Sequence, residues 1–284
     1  MHDGGVSEIP PGGAAKVPLR FPPDAVAAMR VHAPSERNPK LAGLLEAANA
    51  SPQLKARWHA AQVTAERLGM SDHSWVHLQI VLNGALRLFR LLRGRNVKSS
   101  IELDYEMGAD DAEVVIALGC LLHDLGMSIH RVDHEAFSLF LAADHMDTLL
   151  AGVYQEPERT IVASEALHAI IGHRKGGRPL TLEAGIVRVA DALDMEHGRS
   201  RVAMETQLPN IHSLSAAAID EVRIVQGSER AIRVEIDMNN SAGVFQVDEL
   251  LASKLRGSGL ENHVEVVARI EGEHEKRLLT IYRI

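Results

Sequence analysis

The chain has 284 residues, enough for one large domain with an appendage or for two modest domains. Hydrophobic residues make up 46% of it, which supplies a sizeable core and excludes disorder for most of its length. With a net charge of −8 and 4% aromatics, it has neither a general attraction to nucleic acid or anionic membrane nor many base-stacking platforms.

Positions 1–40 hold seven of the eleven prolines and read as an extended arm with a short helix near Ala25–Arg30. From 41 to about 205 the periodicity is helical. Pro52 opens a helix running toward Leu68, and another runs from Ser74 to Arg93 with His77, Val81, Gly84, Leu88 and Leu91 on one face. Asp110 with Glu113 forms a capping signal before an apolar helix over Val114–Leu125. Asp133 is placed to cap His134–Leu150, Pro157 to open a helix ending at Gly172, and Thr181 to cap one running through Asp194. Beyond about 214 the period changes to two. Val222–Val225, Ile232–Met238, Val264–Ile270 and Leu278–Tyr282 read as strands and Val247–Leu255 as a helix, the last two strands forming a closing hairpin. The expected class is mainly α, with a small C-terminal α+β unit of order β-β-α-β-β over 215–284.

Cys120 is the only cysteine, so no internal disulfide forms, which suits a reducing cytoplasm; its apolar setting makes it a core residue. The apolar run Val114–Leu122 is too short to span a bilayer, and the N-terminus has no secretion signal, so a cytoplasmic protein without membrane partners is expected.

Histidine carries the chemistry. Six of the fifteen histidines fall between 123 and 173. An ionisable pair, His123-Asp124, follows a continuous apolar run, where it is costly to desolvate without a partner. His77 and Asp191 lie in other predicted helices. Four groups from three helices, with mixed nitrogen and oxygen donors, can converge on one divalent cation, and Asp124 is the carboxylate best placed to bridge to a second.

The order His77, His123-Asp124, Asp191 resembles the signature of the HD-domain metal-dependent phosphohydrolases. So does its context: SDHSWVHLQIV, ALGCLLHDLGM, His134-Glu135, IIGHR and IVRVADALDM, together covering about residues 70–201. The prokaryotic phosphatase/phosphodiesterase group of that superfamily is the nearest in pattern. The resemblance implies a helical-bundle fold binding one or two divalent ions (Mn, Fe, Ni, Co, Mg or Zn) and hydrolysing a small phosphomonoester or phosphodiester, nucleotides included; the free edge of the C-terminal strands is expected to pair with a second subunit in a homodimer. The resemblance also implies His134, His173 and His168 as further ligands, and Asp124, His134 and His168 as the catalytic groups. A lysine soon after His-Asp and a Gly-Tyr-Pro motif, common in the cyclic-dinucleotide members, are both missing here. Arg131, Arg174, Arg199 and Arg201 are then the candidates to grip phosphate. His73 and Asp72 read as residues that orient ligands or start a helix, and Asp194 as a cap or a partner for arginine. The same ligand set serves di-iron oxygenases of the superfamily, and a metal-free sensor with a ligand-binding tail is a third reading.

Overall fold

In the computed structural model, residues 22–68, 70, 72–195 and 215–270 are described. The first 21 residues of the predicted arm and the predicted strand Leu278–Tyr282 lie outside them.

Nine helices precede the sheet among the described residues: α1 (Pro23–Ala28), α2 (Pro39–Ala50), α3 (Pro52–Arg67), α4 (Trp75–Arg93), α5 (Ser100–Asp104), α6 (Ala109–Leu122), α7 (His134–Leu150), α8 (Glu158–Gly172) and α9 (Leu182–Leu193). Local chemistry sets several starts. Asn38 and Ser51 accept the amides of Leu41 and Leu54, each beside a proline at the first helical position. Ser74 caps α4 through the Val76 amide, and Thr181 caps α9 through that of Ala184.

One expected start and one expected cap are corrected. The α6 helix begins at Ala109, earlier than the pattern suggests, because Asp111 reaches back to the Gly108 amide at 2.8 Å. Glu113 is instead spent on tertiary contacts, accepting from Asn38 and from Arg90. Asp133 precedes α7 in a left-handed conformation (φ 60°), and its side chain makes no cap bond.

Every residue of α6 from Asp111 to Leu122 is buried, so this helix is the axis of the bundle. Around it pack α2, α4, α8 and α9, while Trp58 of α3 donates its indole N–H to the Leu121 carbonyl at 3.0 Å. After α6 the chain makes a 3₁₀ turn, Leu125–Ser128, wedged against α3 and α7. Gly126 makes this wedge possible, since a Cβ there would lie 2.0 Å from the His134 carbonyl oxygen. Ser138 closes the junction by accepting the Gly126 amide at 2.8 Å and donating to the His123 carbonyl at 2.5 Å.

The C-terminal part forms a three-stranded sheet of order β1 (Ile219–Gln226), β2 (Ile232–Met238), β3 (Val264–Ile270). The β1–β2 pair is antiparallel, while β3 runs parallel to β2, a pairing that requires a crossover connection between them. That connection contains a π-helical run, Gln246–Ala252, continuing into an α-helical turn, Ser253–Leu255. Ile232, Val234, Ile236 and Met238 are buried, and they join the same hydrophobic cluster as the helical bundle. On the polar face, Arg223 pairs with Asp237 at 2.7 Å and Arg233 with Glu265 at 2.8 Å across the strands. Among the described residues, no helix is long and apolar enough to cross a membrane.

Candidate metal centre

Six polar side chains meet where several helices end or begin. His77 comes from the first turn of α4, His123 and Asp124 from the end of α6, His134 from the start of α7, His173 from the end of α8 and Asp191 from the last turns of α9. All but Asp191 are buried, and His77 and His123 are fully so.

Simple rules of helix termini orient the rings. The last carbonyls of a helix lack intrahelical donors. His123 turns its Nδ1 to the Cys120 carbonyl at 2.9 Å, and His173 turns its Nδ1 to the Ile170 carbonyl at 2.5 Å. His77 directs Nδ1 at the Asp194 carboxylate, 2.5 Å away. The Nδ1 of His134 lies 3.0 Å from the Arg131 carbonyl and 2.7 Å from the Arg131 guanidinium. The guanidinium can only donate, so it competes with the carbonyl for this atom. In His77, His123 and His173 the acceptor beside Nδ1 holds the proton there, and Nε2 keeps its lone pair for something else.

Those lone pairs face carboxylates. The Nε2 of His77 is 3.6 Å from both Asp124 Oδ2 and Asp191 Oδ1, and that of His123 is 3.5 Å and 3.8 Å from the same two atoms. These separations are too long for good hydrogen bonds. Two donors each about 2.1 Å from one ion lie about 3.0–3.4 Å apart at octahedral to tetrahedral angles, only a few tenths of an ångström less. Both Nε2 atoms are buried without a hydrogen-bond partner among the described residues. Buried polar atoms are rarely left so, and a divalent cation would satisfy them here. The other oxygen of Asp124, Oδ1, lies 3.3 Å from His134 Nε2, and His123, Asp124 and His173 form a second group of mutually close donors. Asp124 thus faces two clusters with its two oxygens.

The electrostatics keep His123, His173 and Asp124 in ligand form and favour the charged form of His134. Burial holds His123 below the usual histidine range despite the nearby carboxylates, and burial together with His123 and Lys254 holds His173 well below it. Burial works against the carboxylate of Asp124, but His123, His134 and His73 outweigh it and keep its pKa well below the ordinary value. For His134 burial is also outweighed, and Asp124 raises its pKa. Burial, with the Asp191 charge, pushes the Cys120 thiol up, which suits an inert core residue.

The structure brings together His77, His123, Asp124, His134, His173 and Asp191, and it does not bring His168 to them. That residue accepts the Leu180 amide at its Nε2, 2.9 Å away, along the α8–α9 connection, so the lone pair expected for metal or proton transfer is already used. Glu165, three residues before it on α8, accepts from the Tyr105 hydroxyl. Arg131 stands beside His134 with an exposed side chain. Arg174 is exposed, and its carbonyl is bound by Arg188. Arg199 and Arg201 lie outside the described residues.

Three further side chains surround the site. Asp194, at the C-cap position of α9, orients His77, and its spacing of three from Asp191 was the available signal. His73 is buried at the site, with Nε2 4.0 Å from Asp124 Oδ2. Lys254 places its ammonium 2.8 Å from Asp191 Oδ2, from 63 residues away in sequence, where no local pattern points to it.

Comparison with known proteins agrees with this geometry. The HD domain family model matches residues 77–196, the stretch that carries every one of the six clustered side chains. The uncharacterized protein MJ1020 of Methanocaldococcus jannaschii is 40% identical over 207 residues, covering 73% of this chain and 80% of that protein. Ribonuclease Y of Thermoanaerobacter pseudethanolicus is 35% identical over 49% of this chain and 26% of its own length. Ribonuclease Y of Desulforamulus reducens is 29% identical over 69% of this chain and 38% of its own. The matches thus span well under half of each ribonuclease. No solved structure matches the chain.

Proposed function

The chain belongs to the HD-domain family, and from that premise we propose that it is a metal-dependent phosphohydrolase acting on a phosphomonoester or phosphodiester, with nucleotides among its substrates. One observation carries the reading: the ring nitrogens His77 Nε2 and His123 Nε2, fully buried and unpartnered among the described residues, face a shared pair of carboxylates. A neutral-imidazole and carboxylate donor set suits a divalent transition ion. The two-way orientation of Asp124 supports a pair of ions, one held by His77, His123, Asp124 and Asp191, the other by His134 and His173 with Glu135 beside them and Asp124 Oδ1 facing His134.

Divalent ions in such a cradle supply Lewis acidity toward a phosphoryl oxygen and make water acidic enough to attack near neutral pH. The rest is the work of the chain. Asp194 fixes the His77 ring, the α6 and α8 terminal carbonyls fix those of His123 and His173, and Ser138 ties the His-Asp turn to α7. Arg131, exposed beside His134, is placed to meet the phosphate from the solvent side. With His168 engaged elsewhere and His134 serving as a ligand, water is the proton source for the leaving group in this reading.

The test is turnover by manganese-loaded full-length protein of p-nitrophenyl phosphate, bis-p-nitrophenyl phosphate, a nucleotide panel and a short RNA, the last because two relatives bear a ribonuclease name. Hydrolysis of at least one class is expected, falling to background in Asp124→Ala. Turnover by Asp124→Ala at the parent rate would refute the proposal.

A further inference from the structure

The C-terminal segment reaches the metal centre, and its approach is unusually close. A Cβ on Gly185 of α9 would lie 2.0 Å from the Ser258 carbonyl oxygen, so the two backbones touch there and only glycine fits. Three residues further along α9, the buried Arg188 guanidinium donates to four backbone carbonyls. Two, Gly172 and Arg174, belong to the end of α8 that carries His173; the other two, Ser253 and Lys254, belong to the helical turn before β3. A guanidinium at two helix C-termini satisfies their orphan carbonyls and suits their partial negative charge. The result is a knot among α8, α9 and the Ser253–Leu255 turn.

That knot aims Lys254 inward. Its ammonium donates to the His173 carbonyl at 2.6 Å and to Asp191 Oδ2 at 2.8 Å, while Asp191 Oδ1 faces His77 and His123. An ammonium has three N–H donors, and the described residues provide these two acceptors. The side chain keeps 16% of its surface exposed, as Asp191 keeps 15%, so this corner of the cluster opens to solvent. When Asp191 shares its charge with a divalent ion, the neighbouring ammonium is left under-compensated. A cation held next to a cation site is favourable when an anion lies against both.

We propose that Lys254, delivered by the C-terminal segment and locked by Arg188, donates to a phosphoryl oxygen of the bound substrate at the solvent-facing corner of Asp191. The inference rests on the phosphohydrolase reading and deepens it. It assigns the C-terminal unit a direct part in the site.

The probe is inorganic phosphate, titrated calorimetrically into manganese-loaded full-length protein, with bound metal counted in the same samples. Lys254→Met keeps the aliphatic stem and removes the charge, and Lys254→Arg keeps the charge. The expected result is unchanged metal content in both variants, a phosphate Kd raised about tenfold or more in Lys254→Met, and a Kd within a few-fold of the parent in Lys254→Arg. Parent-like phosphate binding by Lys254→Met overturns the proposal, as does a metal-loaded parent that binds no phosphate. Loss of metal from Lys254→Met would restrict Lys254 to holding Asp191 and would also overturn it. A parent protein that takes up no metal fails the phosphohydrolase reading itself, a distinct outcome.

Discussion

Replacing Asp194 by alanine isolates what an orienting carboxylate does for the metal centre. In the structure Asp194 Oδ2 sits 2.5 Å from Nδ1 of His77, and both side chains are buried. Removing it frees the ring to rotate and leaves a buried N–H without its acceptor, while no predicted ligand atom is touched. A hydrogen bond to a charged group contributes about 1.5–3 kcal/mol. Loss of a carboxylate behind a ligating histidine typically weakens metal binding about 10- to 100-fold, or roughly 1.4–2.7 kcal/mol, so the two routes to the magnitude agree. Competition titration of manganese or zinc against a chromophoric chelator reads the affinity directly, with far-UV circular dichroism as the check on folding. Asp194→Asn retains an acceptor without the charge and falls between alanine and the parent. An alanine variant with parent affinity would refute the claim that His77 is a ligand held by Asp194.

The remaining predictions address the scaffold, the charge states and the corrected residue. Gly126→Ala drives a methyl group into the His134 carbonyl and is expected to cost about 3 kcal/mol or more, read as a lowered urea midpoint; a midpoint within error of the parent would contradict the close approach. Ser138→Ala strands the buried Gly126 amide and His123 carbonyl at a cost of about 1–3 kcal/mol in the same assay. His123 and His173 have folded pKa values below the unfolded value of about 6.5, so their contribution to stability is complete above that pH and is lost as pH falls from it through their lowered values. His134, with a raised pKa, has the opposite sign, but burial and Arg57 lower His145 as well, so it is one group against three among the described residues. The metal-free protein should therefore show a falling Tm between pH 7.5 and 5.5, and a flat or rising Tm would contradict these charge states. His168→Ala should leave metal content unchanged, because that ring serves the Leu180 amide; loss of a metal ion would return it to the ligand set.

The cluster was largely legible because its members announce themselves locally. His123-Asp124 stands out against a fully apolar helix, α4 and α9 carry clear periodicity, and the helices α4, α7, α8 and α9 begin close to where the sequence places them. The β2 alternation is equally plain, since every second residue is buried. What sequence could not supply came from distant contacts. The α6 start was misplaced because two nearby acids competed for one cap and tertiary donors claimed Glu113. A single-turn helix such as α5 has no periodicity to read, although Ser99 and Glu102 form a capping box, and Glu183 caps it from 83 residues away. His168 sits at a plausible interval but its ring points elsewhere, and spacing alone does not tell those cases apart. Lys254 and Arg188 act through backbone carbonyls, which leave no trace in residue identity.

Metal content measured by elemental analysis, on full-length protein loaded with manganese and then freed of unbound ion, bears most directly on the convergence of His77, His123, Asp124 and Asp191. The account predicts divalent metal retained by the parent chain and absent from Asp124→Ala at equal foldedness. A parent chain that emerges metal-free, or an Asp124→Ala chain that keeps the parent's full complement, would contradict it.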